Sequence, residues 1–402
     1  MSEHPQYTMN SADILSIATQ FMVPLSQLLP VEHHELKPFS HLLIYAAARN
    51  LSISCACKQL SNFPKHYEAL DVLRTSASNL DRLTKHLNDL LANFIPASFR
   101  NGYRKFAVDI VQIPFQGGVE EEYELELCHS KAKGGTTKCF LYATVCCLFK
   151  GRRYTVALTR CQDGETMDVI LKRLVRRLSF LGLKMKLLLL DREFFSVAVL
   201  KYLIRRKTPF IMPARKTGKS PKKEGGPTGT YIYADRKKSC WIRYKMKSNK
   251  AQVTFDLVVI CINSMGRNGK FERVTFLYAT SGLRMKSYQW IRETYRKRFG
   301  IEASYRQMHQ LKIRTSSRHP GLRLMLIGIA LVLRNLWVWI HIEVIAQPNQ
   351  RARKLNLPIL RLDLMLLWLL LEVVKQHPPI LEVEVFQDIR AAFDEFISVL
   401  NY

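Results

Sequence analysis

Acid is scarce in this sequence: 33 Asp and Glu stand against 61 Lys and Arg among 402 residues, a formal net charge of +28. An excess of that size, spread along the chain, needs a polyanion as partner, and nucleic acid is the first candidate. Paired cysteine spacing is also missing. Nine cysteines occur, at 55, 57, 128, 139, 146, 147, 161, 240 and 261, without one C-x-x-C pair. That spacing excludes the common zinc motifs and a disulfide framework, leaving reduced core thiols of a cytoplasmic, nucleoid-associated protein as the expectation. The opening MSEHPQYTMNSADIL has neither the basic start nor the apolar run of a signal peptide. The longest apolar run, Leu324 to Leu333, is ten residues before Arg334 and Asn335 interrupt it, whereas a bilayer span needs ~20. A buried helix is expected there, a second around Leu364 to Leu371, and no membrane partner. Neither an internal repeat nor a low-complexity segment is present, and 48% hydrophobic residues indicate a folded chain.

What is there changes character along the chain. Residues 1–100 read as short helices: HLLIYAAAR capped by Ser40, CACKQL after a turn at Asn50 to Ser52, and KHYEALDVLR after Pro64. Three short helices in a basic protein suit a DNA-binding helix-turn-helix module, although any small helical bundle has the same pattern. From residue 104 the period becomes that of strands, in RKFAVDIVQIP, KCFLYATVCCLF and RRYTVALT, the last two joined by a turn at Lys150 and Gly151. An amphipathic helix over 165–181, the continuous run KMKLLLLD, a helix over 196–205 and the strand PFIMPA follow. That alternation predicts a mixed α/β sheet with helices on both faces over 101–214. Residues 215–284 begin with the linker KTGKSPKKEGGPTG and read as a β-rich insertion, with strands in YIYA, CWIRYKM, VTFDLVVICI and RVTFLYAT. The helical pattern returns over 285–345, and after a linker at Gln347 to Arg353 it continues over 346–402, broken by Pro378-Pro379.

Two acids stand where a sheet should be apolar. Asp109 interrupts FAVDIVQI and Asp191 ends a run of four leucines. Either alone is an ordinary cap or turn residue. Together on neighbouring strands they need a compensating cation, and a metal ion would serve. A third acid, Glu302, lies in YRKRFGIEASYRQMHQ, a stretch otherwise crowded with cations. On a continuous helix, at roughly 100° per residue, Tyr295, Arg298, Glu302, Arg306 and His309 share a sector of about 80°. Surface ion pairing at four-residue spacing is the plain alternative. Three carboxylates on two strands and a helix suit two Mg²⁺ ions, and a pair ~4 Å apart activates an attacking oxygen and stabilises the leaving one in phosphodiester cleavage.

FAVDIVQIPFQGG, LLLLDREFF and YRKRFGIEASYRQMHQ, in that order and spanning roughly residues 100–340, resemble the DDE transposases of bacterial and archaeal insertion sequences. The third stretch is similar to the signature Y-x2-R-x3-E-x6-K of one branch, matched by Tyr295, Arg298 and Glu302. His309 stands where that signature has lysine, with Lys312 three residues on. The resemblance implies a ribonuclease-H-like mixed sheet flanked by helices, with an all-α domain before it, a β-rich insertion before the last catalytic helix, and a helical region after it. It implies Asp109, Asp191 and Glu302 as metal ligands for two Mg²⁺ ions, with Mn²⁺ able to substitute. Tyr295 and Arg298, with Arg306, His309 and Lys312, would contact DNA phosphates, and Phe276 or Trp241 would stack on a flipped base.

The expected function is cleavage of DNA at the ends of an insertion sequence and joining of the 3′-hydroxyls to target DNA, by a homodimer when DNA is bound. A structure-selective nuclease without strand transfer, and a DNA-binding regulator whose acids have become structural, are the alternatives.

Overall fold

Strand β1 (Arg104–Pro114) has the bounds that its alternation predicts, and the sheet is built outward from it. The structure, a computed structural model, describes residues 9–219, 226–248, 251–265, 271–345 and 358–380, with 394, 397 and 398. The other strands are β2 (Cys128–Lys133), β3 (Thr136–Phe149), β4 (Arg152–Cys161), β5 (Met185–Leu189), β6 (Phe210–Pro213), β7 (Cys240–Ser248), β8 (Ala251–Met265) and β9 (Phe271–Ser281). The helices are α1 (Ser11–Met22), α2 (Leu36–Arg49), α3 (Ile53–Gln59), α4 (His66–Ser76), α5 (Leu80–Asn93), α6 (Ala97–Arg100), α7 (Met167–Phe180), α8 (Val197–Arg205), α9 (Tyr288–Arg296), α10 (Gly300–Gln310), α11 (Pro320–Trp339) and α12 (Leu362–Gln376).

Among the described residues the strands form one sheet in the order β2-β3-β1-β5-β6-β9-β8-β7, with β4 beside β3. Strand β3 is antiparallel to β1 and β4, whereas β1, β5 and β6 are parallel. Parallel neighbours need crossovers, and α7 and α8 supply them. The order β4-β3-β1-β5-β6 is the expected ribonuclease-H-like mixed sheet flanked by helices. Strands of the 215–284 segment extend this sheet, since β9 pairs antiparallel with β6, Phe210 opposite Ser281. YIYA, expected as a strand, is instead part of a 3-10 turn over Gly229–Tyr233. Its neighbour Thr230 explains the difference: the hydroxyl accepts from the Thr217 N–H at 2.7 Å and donates to the Arg215 carbonyl at 2.8 Å, which ties this backbone into a turn.

Helix starts follow from side-chain caps. Asn10, Ser52 and Asn79 each accept a backbone N–H three residues on. Ser40, expected as a cap, lies inside α2, which begins four residues earlier at Leu36 with Pro38 in its first turn, where proline is tolerated. Asn50 in the left-handed region (φ 52°, ψ 42°) ends that helix. The early helices pack on the late ones: Ser11 Oγ donates to Glu372 Oε1 at 2.6 Å, and His41 Nδ1 lies 3.1 Å from His377 Nε2. The linker expected at Gln347 to Arg353, and most of the helical region expected over 346–402, lie outside the described residues.

Arg334 and Asn335 do not end the apolar helix as their polarity suggests. Both are buried within α11. The Asn335 amide accepts from the Thr155 N–H at 3.0 Å and donates to the Thr155 carbonyl at 2.7 Å. Asn88 on α5 does the same to Leu158, at 2.7 and 2.9 Å. Two helical asparagines thus satisfy the outer edge of β4, as a further strand would. The stretch Pro320–Val344 is long and apolar enough to cross a membrane, but 94% of its most apolar window is buried within the protein.

Candidate active site

Parallel pairing of β1 and β5 brings two aspartates together. The last paired residues are Ala107 and Leu189, and two residues beyond each stands an acid, Asp109 on β1 and Asp191 just past β5. Asp109 is 8% exposed, and its Oδ1 accepts from the Ile110 N–H at 3.0 Å. Asp191 caps the 3-10 turn Arg192–Phe194, its Oδ1 accepting from the Arg192 N–H at 2.6 Å.

The segment carrying Glu302 is not one continuous helix. Helix α9 ends at Arg296, a 3-10 turn spans Lys297–Phe299, and α10 starts at Gly300, a residue of low helix propensity. The break corrects the shared face inferred from uniform helical spacing. Tyr295 and Arg298 turn inward, at 4% and 5% exposure. Glu302, Arg306 and His309 stay exposed on α10. Lys312 is half-buried beyond the helix, and burial holds its ammonium below the usual lysine pKa.

The three acids converge on one cation. Arg298 Nη1 lies 3.1 Å from Asp109 Oδ2, and its Nη2 lies 3.5 Å from Asp191 Oδ1 and 3.4 Å from Glu302 Oε1. Its Nε donates to the Tyr295 hydroxyl at 3.0 Å. Nη1 is within ion-pair distance of Asp109 but lacks the alignment of a hydrogen bond. Burial pushes the Asp109 pKa up to about 6; Arg298 opposes that, and Asp191 and Glu302 add to it. Burial works against the Arg298 charge, yet Tyr295, Asp109 and Asp191 hold its pKa above the usual arginine value.

Three carboxylates against one guanidinium leave two negative charges when all three are ionised. Carboxylate oxygens are the donors that hard divalent cations take, so the charge and chemistry of this set fit such an ion. The guanidinium stands between the donors, and among the described residues no group of three His, Cys, Asp or Glu side chains is close enough to hold a metal directly. A fourth residue, invisible to sequence reasoning, fixes the frame. Tyr305, one turn after Glu302 and buried, has its hydroxyl 2.7 Å from Thr144 Oγ1 and donates to the Asp109 carbonyl at 3.2 Å.

Beside the acids lies an open cleft of about 1050 Å³, lined by Asp191, Arg215, Phe276, Arg292, Arg296 and Arg298 among others. Phe276 is half-buried there, stacked on Tyr278 (centroids 6.4 Å apart, 15° between planes) with Arg292 5.7 Å above its ring. Trp241 does not line the cleft; it lies against Tyr288, with centroids 6.3 Å apart.

A family described as "Transposase DDE domain" matches residues 100–335, more than half of the chain. No curated protein matches the sequence. Among solved structures the fold is similar to that of a piggyBac transposase, determined by cryo-electron microscopy as a synaptic complex with hairpin DNA. The TM-score is 0.52 at 10% identity, over 95% of this chain and 84% of the other.

Proposed function

Because the chain belongs to the family of transposase DDE domains, we propose that it binds the ends of its own insertion sequence, cuts the phosphodiester backbone there and joins the freed 3′-hydroxyls to target DNA. The observation that carries this reading is the meeting of Asp109, Asp191 and Glu302 on the single guanidinium of Arg298. Transposases of this family use divalent metal ions, and we assign those three side chains as the holders of two, Mg²⁺ or Mn²⁺. Bound there, such ions would supply activation of the attacking oxygen and stabilisation of the leaving one.

The rest of the work falls to the chain's own side chains. Asp109 must be ionised to act as a ligand, and its raised pKa makes that dependent on pH. Arg298 is a resident counter-cation that offsets one of the three carboxylate charges, and its guanidinium and the Tyr295 hydroxyl are the donors nearest to a phosphate bound at the acids. Arg215, Arg292 and Arg296 give the cleft a positive wall for the backbone. Phe276, backed by Tyr278, offers a face for an unstacked base; Trp241, outside the cleft, is the weaker candidate. His309 and Arg306 extend the basic surface along α10. Lys312, half-buried, is a poorer replacement for the lysine of the Y-R-E-K signature. That the chain stems from the insertion-sequence branch with this signature, and pairs as a homodimer on DNA, belongs to the same proposal.

Purified protein mixed with duplexes carrying the element's ends and Mg²⁺ is expected to give nicked and joined products. Asp109→Ala, Asp191→Ala and Glu302→Ala should each bind the duplex and make neither product. One observation favours a second reading: the acids already share an ion-pair partner in Arg298, as they would in a DNA-binding regulator that has lost catalysis. Such a protein would bind the same ends and leave them uncut at any Mg²⁺ or Mn²⁺ concentration.

A further inference from the structure

Two ammonium groups sit on one indole. Lys105 Nζ lies 5.4 Å and Lys286 Nζ 5.5 Å from the centre of the Trp290 ring. Trp290 and Lys105 are half-buried, whereas Lys286, Lys186 and Lys297 are exposed. Burial first, then the nearby charges of Lys297 and Lys186, hold the Lys105 pKa below the usual lysine value. Among the described residues none of these four lysines has a carboxylate within ion-pair distance. Glu293, the one acid on α9, takes a hydrogen bond from Gln289 Nε2 at 2.8 Å.

Four like charges, two at the ring and two near the half-desolvated Lys105, repel each other, and a cation–π contact returns only about 0.5–1 kcal/mol at exposed sites. An incoming polyanion removes that repulsion and gains four contacts. The position of the cluster says which part of a polyanion it meets. Lys105 and Asp109 are four residues apart on β1, hence on the same face of the strand, at a separation of about 13 Å. Helix α9 links the same two places, from Trp290 at the lysines to Tyr295 beside Arg298. A separation of ~13 Å spans a few phosphates of one strand of duplex DNA.

We propose that Lys105 and Lys286 at Trp290, with Lys186 and Lys297 near Lys105, form a second contact for the DNA backbone, a few nucleotides from the phosphodiester held at the carboxylates. This rests on the transposase reading and extends its DNA track beyond the cleft. The test is the salt dependence of duplex binding by the full chain. Each lost phosphate contact lowers the slope of log K against log[salt] by about 0.9. Lys105→Gln with Lys286→Gln should therefore reduce the slope by about 1.8, and the pair of arginine substitutions at the same positions should restore it. Lys186→Gln with Lys297→Gln, both fully at the surface, should give the same loss without touching the half-buried position. A slope unchanged in both Gln pairs overturns the second contact, and so does an equal drop in a control pair, Lys201→Gln with Lys247→Gln. If the unaltered protein cuts DNA in Mg²⁺ while those slopes stay unchanged, the second contact alone fails; if it binds no duplex at all, both readings fail.

Discussion

The hydroxyl of Tyr305 donates to the backbone carbonyl of Asp109 at 3.2 Å, so the helix that carries Glu302 is fastened to the strand residue whose carboxylate Glu302 must meet. The same hydroxyl lies 2.7 Å from Thr144 Oγ1 on the next strand. Tyr305→Phe removes both bonds while keeping the ring, and should cost about 1–2 kcal/mol of stability by chemical denaturation. Because the hydroxyl touches no solvent-facing surface, DNA affinity should hold while the cleavage rate drops. A rate equal to that of the unaltered protein would mean that ring packing alone sets the geometry.

Arg298 is the positive charge that permits three acids to share one pocket. Arg298→Met should destabilise the protein by about 3–5 kcal/mol in a chelating buffer, the scale expected when a buried pair loses one partner. The variant's melting temperature should then rise more steeply with added Mg²⁺ than that of the unaltered protein, since an ion would supply the missing charge. A large loss without any response to Mg²⁺ would separate the arginine from the metal site.

How much of this was legible beforehand differs between strands and site. The bounds of β1 follow directly from its alternation, and the leucine run ending in Asp191 marks a buried strand because only a fully covered strand tolerates it. YIYA misled because four residues of strand-like composition say nothing about the Thr230 hydroxyl that folds the backbone into a turn. Asp109 and Asp191 stand out as charges in apolar surroundings. Arg298 is named from the signature as a phosphate contact, but its place between the acids is not legible: its spacing is that of an ordinary surface ion pair, and the chain breaks at Lys297–Phe299 with Arg298 buried. Tyr305 leaves no signal, since a tyrosine facing a core is indistinguishable by pattern from one holding a carbonyl.

The acidity of Asp109 gives a signed pH dependence. Its pKa is about 6 in the folded chain, against an unfolded value of about 3.9. Between those values the folded state binds more protons than the unfolded state, so stability falls as pH rises from about 4 to about 6 and is flat above. The stability of the unaltered protein minus that of Asp109→Asn, measured by urea unfolding in chelator, should decline by as much as about 3 kcal/mol across that window. A difference that grows with pH would show a carboxylate stabilised, not destabilised, by its surroundings.

The two asparagines on the edge of β4 should matter for stability more than their type suggests. Asn335→Leu leaves the Thr155 N–H and carbonyl buried without partners, at a cost of about 2–4 kcal/mol in unfolding free energy. Because Asn335 lies on α11 and not in the cleft, duplex binding by the folded fraction should be unchanged. A loss below about 0.5 kcal/mol would mean that water or a shifted helix takes over the two bonds.

The most direct measurement is to replace Mg²⁺ by Fe²⁺, add ascorbate and peroxide, and map where hydroxyl radicals cut the polypeptide around the bound ion. A site shared by all three acids predicts cuts close to residues 109, 191 and 302 together, suppressed by excess Mg²⁺ and lost in Asp109→Ala. Cuts at one of these segments without the other two, or at none of them, would contradict a common metal site.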